Sequence, residues 1–378
     1  MPTPESPIQP VPFIDLQRFE DGFLDRWAER CAEISAHTQF VAGPSATRLE
    51  ERLAKLTGAP SVVGCANGTD ALQLALRALG IGPGDLVAIP DATFWATFEA
   101  VVNVGARVVT VDVDSDDLQL DHDQLLEALD RHRPTAVILV HLYGWGSARV
   151  REIRTLCRDR GVHLVEDGAQ CFGSTFEGHS IYAEAEVATV SFYPAKVLGA
   201  CGDAGAVLCS DAELAETVRR LGNHGRTSHY GHGLVGWNSR ISGFDAAYLD
   251  LCLDYLDERI ASRCRAATRY REGLRDLGVR VAEVPAGWEE NGYLNVTLHD
   301  PVDRPLWQAR MKAAGVGYGT VYPGAMSKQP GCGQHLAGAV GGEIADTLCR
   351  GVLNLPLFAY ITDDEVDRVL DIARQLAS

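Results

Sequence analysis

Four of the 34 basic residues in this 378-residue chain are lysine, and one of them, Lys196, follows Ser191-Phe192-Tyr193-Pro194-Ala195. A chain that otherwise writes its positive charge as arginine keeps an amine here. An amine can lose its proton and attack a carbonyl, which a guanidinium cannot do. Three further groups accompany it. Glu166-Asp167 closes an apolar run over residues 162–165, and an acid at a strand end stands where α/β proteins contact their ligands. Asn67-Gly68-Thr69 opens a helical pattern, so free backbone N–H groups, the Thr69 hydroxyl and the helix dipole form an anion site. Ser191, at another strand end, can add a bond to the same anion. Thr93-Phe94-Trp95 comes after a further strand, where the Phe94 ring can stack on a flat ligand. Each group has an ordinary structural use as well: surface lysine, turn acid, helix cap, core ring. Together they match pyridoxal phosphate (PLP), which needs an amine for its aldehyde, a carboxylate for its ring nitrogen, an anion site and a stacking face.

Positioning these groups requires a particular scaffold. Short apolar strands recur at 86–89, 106–111, 136–140, 162–165 and 187–193, and helical spacing marks 45–56, 71–79, 118–129 and 150–160. Strands alternating with helices predict an α/β domain around a mostly parallel sheet. Beyond Asp245 the pattern changes to one long amphipathic helix over 246–274. Strand-like 279–284 and 294–298 follow, then helices near 305–314 and 363–376. The expected organisation is a large PLP-binding α/β domain over 12–250, a connecting long helix over 251–275 and a small α+β domain over 276–378, after a loose leader.

Composition narrows the partners. A formal charge of −17 disfavours nucleic acid and anionic membrane surfaces. The ten cysteines are scattered, with no Cys-x-x-Cys pair, so neither a metal site nor a dithiol is expected, and free thiols suit a reducing cytoplasm. The N-terminal ten residues lack the pattern of a signal peptide, and no run approaches the roughly 20 apolar residues of a membrane span.

The order of the motifs resembles one family. Asn67-Gly68-Thr69-Asp70-Ala71-Leu72, His141-Leu142-Tyr143-Gly144, Glu166-Asp167-Gly168-Ala169-Gln170, Ser191 through Gly205, Asn238-Ser239-Arg240, Tyr322-Pro323 and Leu353-Asn354-Leu355-Pro356-Leu357 are similar to stretches of the DegT/DnrJ/EryC1/StrS aminotransferases. The resemblance implies the fold-type I PLP architecture, with Lys196 as Schiff-base lysine and proton shuttle and Asp167 against the pyridine nitrogen. Gln170 would meet the ring hydroxyl, Gly68, Thr69 and Ser191 the phosphate, and Phe94 the ring face. Asn238 would reach the phosphate bound by the other subunit of a homodimer, with Arg240 and Tyr322 facing substrate. It implies amino transfer from L-glutamate or L-glutamine to a keto-sugar, most readily a nucleotide-linked one. A keto-inositol (aminocyclitol) acceptor and a PLP-binding sensor without turnover stay open as alternatives. Three positions depart from the family's habit: Asp245 where Gln is usual, Val321 before Tyr322-Pro323 where His is common, and Ser327 where a second His is common.

Overall fold

The computed structural model describes residues 9–377; residues 1–8 of the expected leader and Ser378 lie outside the described residues. Eight strands form the main sheet: β1 (Ser61–Cys65), β2 (Leu86–Pro90), β3 (Arg107–Val111), β4 (Ala136–Val140), β5 (His163–Asp167), β6 (Val187–Ser191), β7 (Gly205–Cys209) and β8 (Leu336–Val340). Their spatial order is β1-β7-β6-β5-β4-β2-β3-β8. Only β7 runs antiparallel to its neighbours; the six strands from β6 to β8 are parallel. Helices flank the sheet and bury it, which is why β4 is apolar at all five positions. The strand order and directions are those of the fold-type I architecture that the family resemblance implies.

Parallel strands put their C-terminal ends on one edge, and the groups picked out in the sequence gather there. Asp167 and Ser191 are the last residues of β5 and β6. The helix Gly68–Ala78 starts just past β1, with the Asn67 side chain accepting the Asp70 N–H at 2.8 Å as its cap. The helix Trp95–Asn103 starts four residues past β2.

Two features depart from the expected organisation. The stretch over 246–274 is two helices, Gly243–Cys252 and Leu256–Arg275, divided by a short 3₁₀ turn over Leu253–Tyr255. At the division Asp250 meets Arg48 and Arg52, while Asp254 meets Arg26 and Arg52. Residues past 276 do not all stay apart from the large sheet. They form a three-stranded antiparallel sheet of Arg280–Val281, Asn295–Leu298 and Val352–Leu355, but β8 crosses back and pairs with β3. Val11 in turn bridges to Val316 and packs in the C-terminal core with Tyr270, Leu353 and Phe358.

Candidate active site

A cavity of about 360 Å³ opens at the C-terminal edge of the sheet. Eight of the ten residues expected to serve the site line it: Gly68, Thr69, Phe94, Asp167, Gln170, Ser191, Lys196 and Tyr322. Asn238 and Arg240 do not line the cavity of their own chain. The Arg240 guanidinium donates to Asn238 Oδ1 at 2.5 Å and to Asn223 Oδ1 at 3.2 Å, with no carboxylate partner among the described residues.

The floor is set by β5. Asp167 is buried and its Oδ1 accepts the Ala169 N–H at 3.0 Å. No cation lies within ion-pair distance of it among the described residues. Burial pushes its carboxyl pKa up, while the Ala169 N–H and the Lys196 charge pull the other way. A buried acid facing a cavity without a cationic partner suits a ligand that brings its own N–H⁺. Glu166, one residue earlier, points to the other side and is fully engaged. His141 Nε2 lies 3.0 Å from Glu166 Oε2, and Arg154 donates to both carboxylate oxygens at 2.8 and 2.9 Å. Burial alone would raise the Glu166 pKa, but His141 and Arg154 outweigh it and hold it below the usual range. The sequence pair Glu166-Asp167 is thus divided, one acid anchoring the strand and one left for chemistry.

The anion cradle is built by close approach. A Cβ on Gly68 would sit 2.6 Å from the Ser191 Cβ, and one on Gly205 would sit 2.5 Å from the Asn67 carbonyl. Only glycine at these points lets the helix start, the end of β6 and the start of β7 converge. The N–H groups of the first helical turn and the Ser191 hydroxyl then surround one small volume, suited to phosphate.

Phe94 is 54% exposed, a large apolar ring left in the cavity mouth, and its centroid is 5.4 Å from that of Tyr322. Gln170 joins the two parts of the chain: its Oε1 accepts the Tyr143 N–H at 2.8 Å and its Nε2 donates to the Tyr322 hydroxyl at 2.8 Å. One amide hydrogen is left over for a ligand. Lys196 projects from the turn after β6, where its N–H closes on the Tyr193 carbonyl at 2.8 Å, and its Nζ donates to the Tyr293 hydroxyl at 3.2 Å.

Tyr293 is a wall residue that carries no signal in the sequence. It lies in Asn291-Gly292-Tyr293, within a stretch without strand or helix pattern. The three departures from the family's habit separate in space. Tyr322 and Val321 line the cavity. Ser327 instead turns its N–H and hydroxyl to the buried Asp91, at 2.6 and 2.7 Å. Asp245 is engaged by Ser242, whose Oγ accepts the Asp245 N–H at 3.0 Å as the N-cap of Gly243–Cys252 and donates to the Asp245 carboxylate at 2.5 Å.

A larger hollow, about 570 Å³, lies toward the N-terminal ends of β5 and β6. Its Arg154 is already spent on Glu166 and Glu184, and its His163 on Glu186, so the chemistry sits at the other edge.

An amine, a buried acid without a cationic partner among the described residues, a glycine-lined helix start beside a hydroxyl and an exposed ring, gathered at one edge of this sheet, suit pyridoxal phosphate. A sequence profile of the DegT/DnrJ/EryC1/StrS aminotransferase family matches residues 25–374, and the chain belongs to that family. It is 37% identical to the UDP-2-acetamido-2-deoxy-3-oxo-D-glucuronate aminotransferase of Pseudomonas aeruginosa, over 93% of this chain and 96% of that one. It is 35% identical to the UDP-N-acetyl-3-dehydro-alpha-D-glucosamine 3-aminotransferase of Acidithiobacillus ferrooxidans, over 97% of each. Among solved structures, S. venezuelae DesV superposes with a TM-score of 0.93 at 33% identity, covering 98% of this chain and 99% of that one. The chain is an aminotransferase of sugar transamination, and its cofactor is pyridoxal phosphate. Among the described residues no helix is long and apolar enough to cross a membrane.

Proposed function

We propose that the chain moves the amino group of L-glutamate to the C3 ketone of a nucleotide-linked hexose. The observation that carries this reading is the pair of relatives just described. Both span nearly the whole chain, and both are named for a UDP-linked sugar oxidised at carbon 3.

When bound, the cofactor would supply the aldehyde that takes up the amine and the cationic ring that draws in the electron pair left on carbon when the proton is taken. The chain's own residues do the rest. Thr69, Ser191 and the N–H groups beginning at Gly68 hold the phosphate. Phe94 covers one ring face, and Gln170 directs its spare amide hydrogen to the ring hydroxyl. Asp167 keeps the ring nitrogen protonated, and in exchange gains the cation that its burial calls for. Lys196 takes the proton from the α-carbon of the amino donor and returns it on the cofactor side; for the sugar it carries the proton in the opposite sense. Phe94 and Tyr322 together keep bulk water from that proton.

Two copies complete each other in this proposal. Asn238 is exposed and stands away from its own cavity, and Arg240 has no carboxylate among the described residues to neutralise it. Both serve the cavity of a second copy, Asn238 on the phosphate and Arg240 on an anionic group of donor or sugar nucleotide.

The experiment is a two-stage absorption assay. L-Glutamate should bleach the visible-edge band of the holoenzyme, and a UDP- or dTDP-linked 3-keto-hexose should restore it. Restoration by a keto-inositol and not by any nucleotide sugar would overturn the acceptor in favour of a cyclitol.

A further inference from the structure

The Tyr293 hydroxyl stands 3.2 Å from Lys196 Nζ, and that Nζ lies 4.9 Å from the centre of the Tyr293 ring. No other hydrogen-bond partner of this hydroxyl, and no carboxylate paired with Lys196, is found among the described residues. The tyrosine is held by a route that leads back to the catalytic acid. Its N–H donates to Asn291 Oδ1 at 2.9 Å, and Asn291, fully buried, donates from Nδ2 to the carbonyls of Gln170 at 3.0 Å and Phe172 at 2.9 Å. The ring is therefore hung from the loop that follows Asp167. Gly144 leaves room for this connection: with φ at +111°, a Cβ there would come 2.5 Å from Asn291 Oδ1 and 3.2 Å from the Tyr293 nitrogen.

We propose that Tyr293 is a catalytic residue, whose hydroxyl holds the Lys196 amine in both protonation states whenever that amine is not bonded to the cofactor. A proton shuttle alternates between free base and ammonium. A hydroxyl serves both: it accepts an N–H from the ammonium, and it donates its own O–H to the lone pair of the free amine. The ring face adds attraction for the cationic form only. No proton leaves the pair in this role. The proton Lys196 takes from the donor α-carbon stays on Nζ until it is passed on, and Tyr293 keeps its own throughout. The hydroxyl thereby fixes where the shuttle waits, a placement worth a large factor in rate when reacting atoms must stay within contact distance.

The inference rests on the aminotransferase class and not on which sugar is aminated, so it is tested in the donor half alone. Tyr293→Phe keeps the ring and removes the hydroxyl. In the holoenzyme it should leave the melting temperature and cofactor content unchanged. The single-turnover rate with L-glutamate (or L-glutamine, if that is the donor the unaltered enzyme accepts) should fall about tenfold, with the donor KM moving less than about twofold. A second readout does not depend on turnover. Trace acetylation of donor-treated holoenzyme with acetic anhydride, followed by peptide mass spectrometry, reports Lys196 against Lys55, Lys312 and Lys328 as internal standards. Removing the hydroxyl should raise the relative labelling of Lys196 severalfold, because nothing then occupies its lone pair. An unchanged rate would overturn the proposal. So would a reduced rate with unchanged Lys196 labelling, which would assign Tyr293 to the substrate instead.

Discussion

Ser327 closes on Asp91 twice, its N–H reaching Oδ1 at 2.6 Å and its hydroxyl Oδ2 at 2.7 Å. Asp91 follows β2 and leads to Phe94, while Ser327 follows the segment carrying Tyr322. One clasp thus ties together the two chain segments whose rings meet over the cavity.

That clasp gives a stability change with a defined pH sense. Burial pushes the Asp91 pKa up, and the two Ser327 donors pull it down without cancelling the rise. A carboxyl raised in the folded state favours folding at low pH, and that contribution is lost as pH rises through its folded value. Ser327→Ala takes a donor from the ionised form and raises the value further. It should cost about 1–2 kcal/mol at pH 8 and progressively less as the pH falls and Asp91 takes up its proton. Urea unfolding at pH 8 and over a series of lower pH values checks it.

Glu166 runs in the opposite sense. Its pKa is lowered overall, so its contribution is present above the unfolded carboxylate range and disappears as pH falls through the folded value. Arg154→Met strands a buried charge and should destabilise by about 3 kcal/mol at pH 7. The gap from the parent protein should narrow as the pH falls, because the stranded Glu166 carboxylate takes up a proton before that of the parent. A gap that stays constant with pH would show that Arg154 acts through packing alone.

Gly68→Ala strikes the phosphate cradle. The Gly68 φ is not positive, so the cost is steric: the added methyl would sit 2.6 Å from the Ser191 Cβ, and the helix start and β6 must part to admit it. Loss of at least tenfold in pyridoxal phosphate affinity by absorbance titration is expected, together with a destabilisation of the cofactor-free protein of about 1–3 kcal/mol.

Shared sites predict complementation. Lys196→Ala should lose turnover by at least about a thousandfold, and Asn238→Ala should lose most of it through weakened phosphate binding. When the two are unfolded and refolded together, half the dimers should be hybrids with one intact site each. Roughly a quarter of the parent activity should then return. No recovery would place Asn238 outside the shared site.

What could be read from the sequence was what is local along the chain. Asp167, Ser191, Gly68 and Thr69 each sit where a strand stops or a helix begins, and such ends are marked by abrupt changes of residue type. The helix Val150–Arg160 was legible to the residue because its charged and apolar positions alternate at helical spacing. Trp95–Asn103 was not, being apolar on nearly every side with no stripe to detect. Strand β8 was missed because Leu336-Ala337-Gly338-Ala339-Val340 is short and built of small residues with little strand preference. Tyr293 and the Asp91–Ser327 clasp depend on contacts across about 100 and 236 residues, and no local pattern encodes such a meeting. Ser327 and Asp245, which depart from the family's habit in the sequence, both serve hydrogen bonds within the fold.

The strand β8 has a meaning for how the protein is made. It covers the outer edge of β3, which was synthesised more than 200 residues earlier. A ribosome that has completed β7 holds a sheet whose β3 edge is still bare, with unpaired amide and carbonyl groups of the kind that recruit foreign strands. The nascent chain must keep that edge from its neighbours until residue 340 has cleared the exit tunnel. Slow translation or truncation ahead of that point should therefore produce aggregation rather than a folded fragment.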